Sequence, residues 1–270
     1  MVRSRTATWV LRLVVVAYLV LLVGWPVSLV VQHTFADGLE SLRHTLSDPS
    51  VVFALKLTVT VALQATVINT LFGVGISLLL VRKDFRGKRL LSNLLDLPLS
   101  VSPVVVGLAL VLAYGGRGDW FGPTLEANGI QVIFATPGII LATAFVSLPL
   151  VIREVVPVLT EIGTDEEQAA RSLGAGAFQT FWRITLPAIK WAIVYGVVLT
   201  LARSLGEFGA VKIVSGNLEG RTQTATLLVE QKYQDFEQAT AYATSFLLAA
   251  VSVACIIVVS FLRPEGKKHP

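Results

Sequence analysis

The chain has 270 residues, of which 54% are hydrophobic and 15% are charged, and its formal net charge is +4. Soluble domains are about 25% charged, so this composition excludes an ordinary soluble domain. The length suffices for about six helices of roughly 20 residues with their loops, which predicts an all-α integral membrane protein.

Six apolar stretches predict membrane-spanning helices, and we assign residues 1–270 to a single transmembrane domain. The stretches cover residues 9–31, 51–81, 96–113, 137–158, 188–205 and 241–262. The first follows basic residues, as the apolar part of a signal peptide would. It is too long for that part and lacks an A-x-A cleavage site, so we expect it to be retained as a span.

Lysine and arginine are distributed unevenly between the two ends of these helices. Fifteen of the 22 lie near the N-terminus, in residues 82–93, in and around residues 153–190, and in the C-terminal tail. Six lie in the alternate loops and segments, among them Arg43 and Arg117. Because cytoplasmic loops are enriched in Lys and Arg, both termini are predicted to be cytoplasmic.

The third apolar stretch contains Pro98, Pro103 and Gly107, which predict an irregular helix. Irregular backbone at membrane depth is tolerated only where it is buried in protein or faces a water-filled cavity. One interpretation is therefore a helix that lines a pathway, with the hydroxyls of Ser100 and Ser102 exposed to the transported species. The alternative is a kinked helix that only packs.

Residues 161–187 form the longest polar interruption in the middle of the chain. Thr164 and Glu167 have the spacing of a capping box, and acidic residues in the first turn suit the helix dipole. Gly174 follows at the place of a C′ glycine. A second short helix is predicted from Phe178 to Ile184, and Pro187 suits the first turn of the next span.

Residues 202–214 are the most unusual boundary between apolar and polar sequence. Arg203, Glu207 and Lys212 fall at the end of a predicted span, beside Phe208. Ionisable groups at membrane depth are costly and are candidates for function, so these four residues are predicted to contribute to a pathway or gate. The alternative is an ordinary i,i+4 pair of Arg203 and Glu207 followed by an interfacial loop.

Sequence motifs for enzyme chemistry are absent. No G-x-x-x-x-G-K-[ST] phosphate loop occurs, and no Ser/His/Asp constellation stands out. The histidines, His33, His44 and His269, are far apart, so no metal site is predicted. Cys255 is the single cysteine and lies in an apolar run, where it is expected to be a buried thiol. We therefore expect no catalytic residue, metal or cofactor on this chain.

The polar interruption resembles the cytoplasmic coupling loop of permease subunits in ATP-binding-cassette (ABC) importers. That family's pattern is E-A-A, three residues, G, nine residues and I-x-L-P. The matching residues here are Ala169, Ala170, Gly174, Ile184, Leu186 and Pro187, whereas Gln168 stands at the position of the family's Glu. The resemblance implies that the residues that couple to an ATPase are Glu167, Gln168, Ala169, Ala170 and Gly174.

Further stretches narrow the resemblance to the CysW-type permease subunit of bacterial sulfate/thiosulfate ABC importers. They are residues 96–110, 145–159, 202–224 and 227–236. The resemblance implies the type I permease fold with a cytoplasmic coupling helix, in the bacterial cytoplasmic (inner) membrane. It also implies import of sulfate or thiosulfate into the cytoplasm by alternating access.

The resemblance further implies an assembly. A homologous second permease subunit would complete a heterodimer, two ATPase subunits would hold ATP and Mg²⁺, and an extracytoplasmic binding protein would deliver sulfate. Lipid would surround the chain, and no nucleic acid is expected. Two alternatives remain open at this point, namely the same machine for molybdate or tungstate, and an autonomous ion-coupled transporter or channel.

Overall fold

The computed structural model describes residues 5–36, 38–116 and 120–262. Within these ranges the chain forms α-helices and two π-helical turns, and no strand. The α-helices are α1 Arg5–Leu19, α2 Trp25–Thr34, α3 Glu40–Ser47, α4 Pro49–Arg82, α5 Lys88–Ser100, α6 Pro103–Tyr114, α7 Gly122–Ala127, α8 Thr136–Ile162, α9 Asp165–Ser172, α10 Ala177–Thr180, α11 Leu186–Leu205, α12 Gly209–Ser215, α13 Ala225–Gln234 and α14 Gln238–Leu262. The π turns are Val20–Gly24, between α1 and α2, and Phe181–Thr185, between α10 and α11.

Five continuous helical segments of the described chain are long and apolar enough to cross a membrane. They are Thr8–Thr34, Pro49–Arg82, Thr136–Ile162, Ala177–Leu205 and Gln238–Cys255. A sixth crossing results if α5 and α6 are counted together as one broken span. The predicted all-α membrane fold is therefore confirmed.

Two of the predicted helices have different limits in the structure. The stretch 96–113 is divided into α5 and α6, which meet at an angle of 112°. Val101 and Ser102 are extended at this break because Pro103 disfavours a helical conformation of the residue before it. The short helix predicted over Phe178–Ile184 is not separate, since Ala177–Leu205 is one helical segment.

The centre of the bundle is formed by α4, α8 and α11. Val151 of α8 is fully buried and lies against Gly73 of α4 and Gly196 of α11. A Cβ atom at Gly73 would lie 2.9 Å from the Val151 Cβ, and one at Gly196 would lie 3.0 Å from the Val151 Cα. Small residues thus let three long helices approach closely, as is usual for packing in membranes.

A buried polar network lies on the same three helices. The Asn69 Nδ2 atom donates to the Ala144 carbonyl and to the Ser147 hydroxyl, both at 2.9 Å. The Ser204 hydroxyl is 3.3 Å from that of Ser147. Hydrogen bonds between spanning helices contribute about 0.6 kcal/mol each on average. Because these bonds need a particular alignment of α4, α8 and α11, the network favours one relative register of the helices.

The ends of α4 and α8 that lie far from α9 pack against the segments that follow α11. Val106, Val211 and Val214 belong to one buried cluster there. The backbone N–H of Phe134, just before α8, donates to the Val214 carbonyl at 2.8 Å. The N–H of Ala225 donates to Thr58 Oγ1 at 2.8 Å. The chain after α11 thus folds back into the bundle.

The first span lies at the edge of the bundle. Trp9, Leu21 and Trp25 are 65%, 69% and 61% exposed, so most of this helix presents apolar surface outward. Its C-terminal end meets α14, where the His33 and Tyr242 rings stack with centroids 5.2 Å apart. An exposed apolar helix of this length suits the hydrocarbon of a bilayer.

Candidate coupling and pathway sites

The predicted coupling segment, residues 161–187, begins where α8 ends. Gly163 has φ +69°, which turns the chain away from α8, and α9 starts two residues later with three acidic residues in its first turn. The predicted capping box is wrong, because the Thr164 side chain caps no backbone N–H. Its hydroxyl instead accepts a hydrogen bond from Gln168 Nε2 at 2.8 Å. Gln168 therefore supports the start of α9 from an exposed position.

The Glu167 side chain contacts other helices of the chain and does not take part in an N-terminal cap of α9. It is 7% exposed, and its Oε1 accepts hydrogen bonds from Arg82 Nε at 3.1 Å and Thr185 Oγ1 at 2.9 Å. Arg82 Nη2 lies 3.1 Å from the same oxygen. Arg82 Nη1 also donates to the Leu159 carbonyl at 3.0 Å, near the end of α8. One carboxylate thus joins α9 to α4, to α8 through Arg82, and to the π turn before α11.

The end of α9 follows the prediction. Gly174 has φ +88°, in the left-handed region that favours glycine. Its N–H donates to the Arg171 carbonyl at 2.9 Å, and the N–H of Ala175 donates to the Ala170 carbonyl at 3.0 Å. These two bonds form a Schellman motif, which satisfies the last carbonyls of the helix and reverses the chain direction.

The coupling segment exposes several large apolar side chains. Leu173 is 90% exposed, and Phe178 and Trp182 are 78% and 60% exposed, with their rings stacked at 6.2 Å. Gln168, Ala169 and Gly174 are exposed beside them, whereas Ala170 is half-buried. Exposed aromatic patches of this kind mark interaction surfaces. The coupling residues predicted from the sequence therefore divide into a buried anchor, Glu167, and an outward face.

Arg203, Glu207, Phe208 and Lys212 lie close together at the end of the bundle that is far from α9. Glu207 is 4% exposed and follows the end of α11, and its Oε2 lies 2.7 Å from Arg203 Nη1. Its Oε1 accepts the Ala210 N–H at 3.0 Å, at the start of α12. The pair therefore joins α11 to α12 and is not the simple pair within one helix that the alternative supposed.

Lys212 has partners on two sides. Its Nζ forms an ion pair with Glu230 of α13 and lies 5.2 Å from the centroid of the Phe208 ring. Phe208 is 36% exposed and Arg203 is 40% exposed at its side chain, so the cluster faces outward in part. Each charge is matched here, and the role of these residues in a pathway or gate stays a prediction.

Ser100 and Ser102 lie at the break between α5 and α6. Both are exposed, and Ser102 occupies the cap position before Pro103. The Ser100 hydroxyl is 3.4 Å from the Asp96 carbonyl, one turn earlier in α5. The break predicted to face a pathway thus has two hydroxyls at its surface.

Sequence reasoning missed the partners of the charged residues. Arg82 was counted only as one of a basic run, yet it holds Glu167 across 85 positions of sequence. Arg153 contacts Asp96 across 57 positions, with Nη2 and Oδ1 3.0 Å apart. The signal available for both was a charged residue within or at the end of an apolar stretch. Among the described residues, no three His, Cys, Asp or Glu side chains gather as a metal site would require.

The bundle of apolar helices, with a short helix attached to one end and an exposed aromatic face on that helix and its neighbour, fits a permease subunit of an ABC importer. The family described as "Binding-protein-dependent transport system inner membrane component" matches residues 69–263, and the chain belongs to it.

Individual relatives agree with this assignment. The chain is 48% identical to the sulfate transport system permease protein CysW of Synechococcus elongatus, over 91% of this chain and 86% of that protein. It is 31% identical to the sulfate transport system permease protein CysT of Synechocystis, over 99% and 92%. A chain in the crystal structure of a bacterial alginate ABC transporter, in complex with an alginate pentasaccharide-bound periplasmic protein, has the same fold. Its TM-score is 0.78 at 16% identity, over 97% of this chain and 95% of that chain.

Proposed function

We propose that the chain is the permease subunit of an ATP-driven importer that moves sulfate or thiosulfate into the cytoplasm of a bacterial cell. The observation that carries this substrate is the 48% identity to a protein named as a sulfate permease, which extends over most of both chains. The molybdate or tungstate alternative has no support among these relatives. An autonomous transporter would not need the exposed coupling face.

ATP hydrolysis belongs, in this proposal, to two separate ATPase subunits that hold ATP and Mg²⁺. They dock on the outward face of the coupling segment, where Leu173, Phe178 and Trp182 are exposed. Large apolar side chains that are exposed together are typical anchors of protein interfaces. Gln168 and Ala169 lie beside these anchors, and Ala169 permits close approach of a partner.

Glu167 transmits the motion. ATP binding draws the two ATPases together, and α9 follows them because its outward face is bound. The hydrogen bonds of Glu167 to Arg82 and Thr185 then oblige α4 and α11 to follow α9. The bundle changes from an inward-facing to an outward-facing state because the ATP-bound ATPases bind the second state more tightly.

The remaining partners complete the path. A homologous second permease, of the kind represented by CysT, encloses the pathway with this chain, and an extracytoplasmic binding protein delivers the anion. An anion that leaves water needs hydrogen-bond donors in its place, since isolated charge is very costly in a low dielectric. Hydroxyls such as those of Ser100 and Ser102 supply donors, and both chain termini lie in the cytoplasm.

The test is uptake of radiolabelled sulfate by cells that lack this chain and receive it back on a plasmid. We expect the wild-type chain to restore uptake, and excess unlabelled thiosulfate, but not molybdate, to compete. Restored uptake that only molybdate blocks would contradict the substrate and leave the ABC permease class in place. Co-purification of a cytosolic ATPase with the chain tests that class, and its absence would favour an autonomous transporter.

A further inference from the structure

Helix α5 has three distinct faces. Leu91, Leu95 and Pro98 form the face that packs towards the bundle, in part against Ile152 of α8. A second face, with Leu90, Leu94 and Leu97, is apolar and exposed. The third face is polar and exposed, and it consists of Arg89, Ser92, Asn93, Asp96 and Ser100. Ser92, Asp96 and Ser100 are four residues apart, so they form one line along the helix.

Arg153 of α8 reaches this polar line. Its Nε and Nη2 atoms lie 3.2 and 3.0 Å from Oδ1 of Asp96. The side chains of Arg153 and Asp96 are 58% and 52% exposed, and they border a cavity of about 220 Å³ that Ser92 and Pro149 also line. A water molecule in the liquid occupies about 30 Å³, so the cavity has room for a small anion.

The pair lies well inside the lengths of α5 and α8. Asp96 is eight residues beyond Lys88, or about 12 Å along α5, and Arg153 is nine residues before the end of α8, or about 14 Å. Helix α5 begins, and α8 ends, at the end of the bundle that carries α9. The pair therefore lies in the half of the bundle nearer to α9, which is the cytoplasmic half under the proposed function. Charged residues at such depth avoid lipid and face protein or a water-filled cavity. Under the proposed function, the exposed polar face of α5 therefore faces the pathway between the two permease subunits.

The Arg153–Asp96 pair is chemically suited to bind an anion weakly and release it again. A guanidinium has five N–H donors in a planar fork that fits an oxyanion, and within the described residues Arg153 uses only two of them. Asp96 balances the charge of Arg153 when no anion is bound. When an anion arrives, the same carboxylate repels it and competes for the guanidinium. Conduction needs binding that is favourable enough to enter and weak enough to leave.

We propose that Arg153, with Asp96 as its counter-ion and the hydroxyls of Ser92 and Ser100 as further donors, forms a transient binding site for a divalent tetrahedral oxyanion in the cytoplasmic half of the pathway. This inference rests on the proposed import function and adds a location to it. The alternative is that the Asp96–Arg153 pair only holds α5 against α8.

The first experiment measures access and occupancy in the assembled complex. Ser100→Cys is made in a Cys255→Ser chain and treated with a water-soluble, charged thiol reagent. Leu97→Cys, on the apolar exposed face of the same helix, is the matched control. We expect Ser100→Cys to react at least tenfold faster, and sulfate to slow it while chloride of equal ionic strength does not. Equal rates at the two positions, or no protection by sulfate, would overturn the proposal.

The second experiment distinguishes an anion site from a structural contact. Sulfate uptake and ATP hydrolysis are measured in proteoliposomes for Arg153→Gln, Arg153→Lys and the exchange Asp96→Arg with Arg153→Asp. We expect at least a tenfold loss of uptake for Arg153→Gln, partial activity for Arg153→Lys, and no recovery on exchange. Full recovery on exchange would show a structural contact only. The exposed Lys88–Asp84 pair, removed by Lys88→Gln and Asp84→Asn, is the control that leaves uptake unchanged.

The two proposals can fail separately. If the wild-type complex imports sulfate and the Arg153 variants match it, only the oxyanion site is wrong. If the wild-type complex does not import sulfate, the proposed substrate is wrong. In that case the reaction of Ser100→Cys with the thiol reagent is measured with thiosulfate or molybdate as the divalent anion. A slower reaction would support the oxyanion site, and an unchanged rate would contradict it.

Discussion

The carboxylate of Glu167 and the guanidinium of Arg82 form an ion pair, 3.1 Å from Oε1 to Nη2, that joins the coupling segment to the end of α4. Their side chains are 10% and 14% exposed, so the pair is largely shielded from water. The acid that the sequence suggested for the ATPase is therefore turned inward. Within this chain the carboxylate attaches α9 to α4 and to the π turn before α11.

Removal of Glu167 is expected to uncouple the transporter. Breaking a buried ion pair costs about 3–5 kcal/mol. Here the lost contact is the one that attaches α9 to α4, so we expect α9 to loosen while the helix bundle stays folded. In Glu167→Ala, ATP hydrolysis should continue while sulfate imported per ATP falls. Glu166→Ala, in the same turn but exposed, is the control. Equal sulfate-to-ATP ratios for the two variants would contradict this.

Arg82→Ala should act on the same contact. Because the two residues share one interaction, the double variant should lose little more coupling than either single variant. Uptake and ATP hydrolysis of the four proteins form a double-mutant cycle. Additive losses would mean that Arg82 and Glu167 act independently, and the proposed transmission through their contact would have to be abandoned.

Gly174 is expected to tolerate most side chains poorly. At φ +88° an L-residue is strained by roughly 1–2 kcal/mol, so Gly174→Ala should weaken coupling and Gly174→Leu should abolish uptake. Gly174→Asn should be milder, since Asn tolerates this conformation. Gly176 has φ −69° and open space around it, so Gly176→Ala is the control. Normal sulfate uptake by the Gly174→Leu variant would contradict a role of this turn in coupling.

Gly73 and Gly75 offer a matched pair within α4. A Cβ at Gly73 would press on Val151, whereas a Cβ at Gly75 would meet nothing within 4 Å. We expect Gly73→Ala to lower the stability of the purified permease by about 1–3 kcal/mol through overpacking. Gly75→Ala should be neutral or stabilising by up to about 1 kcal/mol. Thermal unfolding in detergent measures both, and the reverse order would refute the close packing.

Glu207 is expected to matter for the structure beyond its charge. Glu207→Ala leaves the Ala210 N–H and Arg203 without their acceptor, and should cost about 3 kcal/mol. Glu207→Gln keeps an acceptor for Ala210 and should cost less. Thermal unfolding separates the two, and equal losses would show that only the charge of Glu207 contributes. Glu237→Gln, which removes an exposed ion pair with Lys232, is the control.

Asp48 connects stability to pH at the start of α4. Burial alone would raise its pKa, but hydrogen bonds from the Ser50 hydroxyl and N–H and the charge of Lys232 lower it below 3.8 overall. The stabilisation is therefore present above about pH 4 and is lost as the pH falls through the folded-state pKa. Asp48→Ala should cost about 1 kcal/mol near neutral pH and much less in acid. A pH-independent loss would contradict this assignment.

Local sequence signals predicted the parts of the fold that depend on local physics. Long apolar runs predicted the spans because a segment in the lipid bilayer must satisfy its own backbone hydrogen bonds, which a helix does. Gly174 was predicted as the end of α9 because a C′ position needs positive φ. Pro103 signalled a break in the third stretch. The angle of 112° was not predictable, because it depends on how α5 and α6 pack against α8 and α12.

Contacts between distant residues account for most of what the sequence did not predict. The pair Thr164 and Glu167 matched a local motif, but Arg82 offered the carboxylate a full positive charge where a cap offers a single N–H group. Asp96 fell at the start of one predicted helix and Arg153 near the end of another. Their meeting depends on how α5 lies across α8, which no local pattern records.

The continuous helical segment Ala177–Leu205 has a mechanical consequence. Its 29 residues extend for about 43 Å, from the exposed aromatic rings at one end to Arg203 at the other. A rigid rod of that length would convert a tilt of about 5° at the end with the aromatic rings into a displacement of about 4 Å at the far end. The α-helical hydrogen-bonding pattern of this segment is interrupted by the π turn at Phe181–Thr185. Thr185, the last residue of that turn, donates a hydrogen bond to Glu167. In the proposed mechanism, the stiffness of that one turn would set how much of each ATPase movement reaches the opposite end of the bundle.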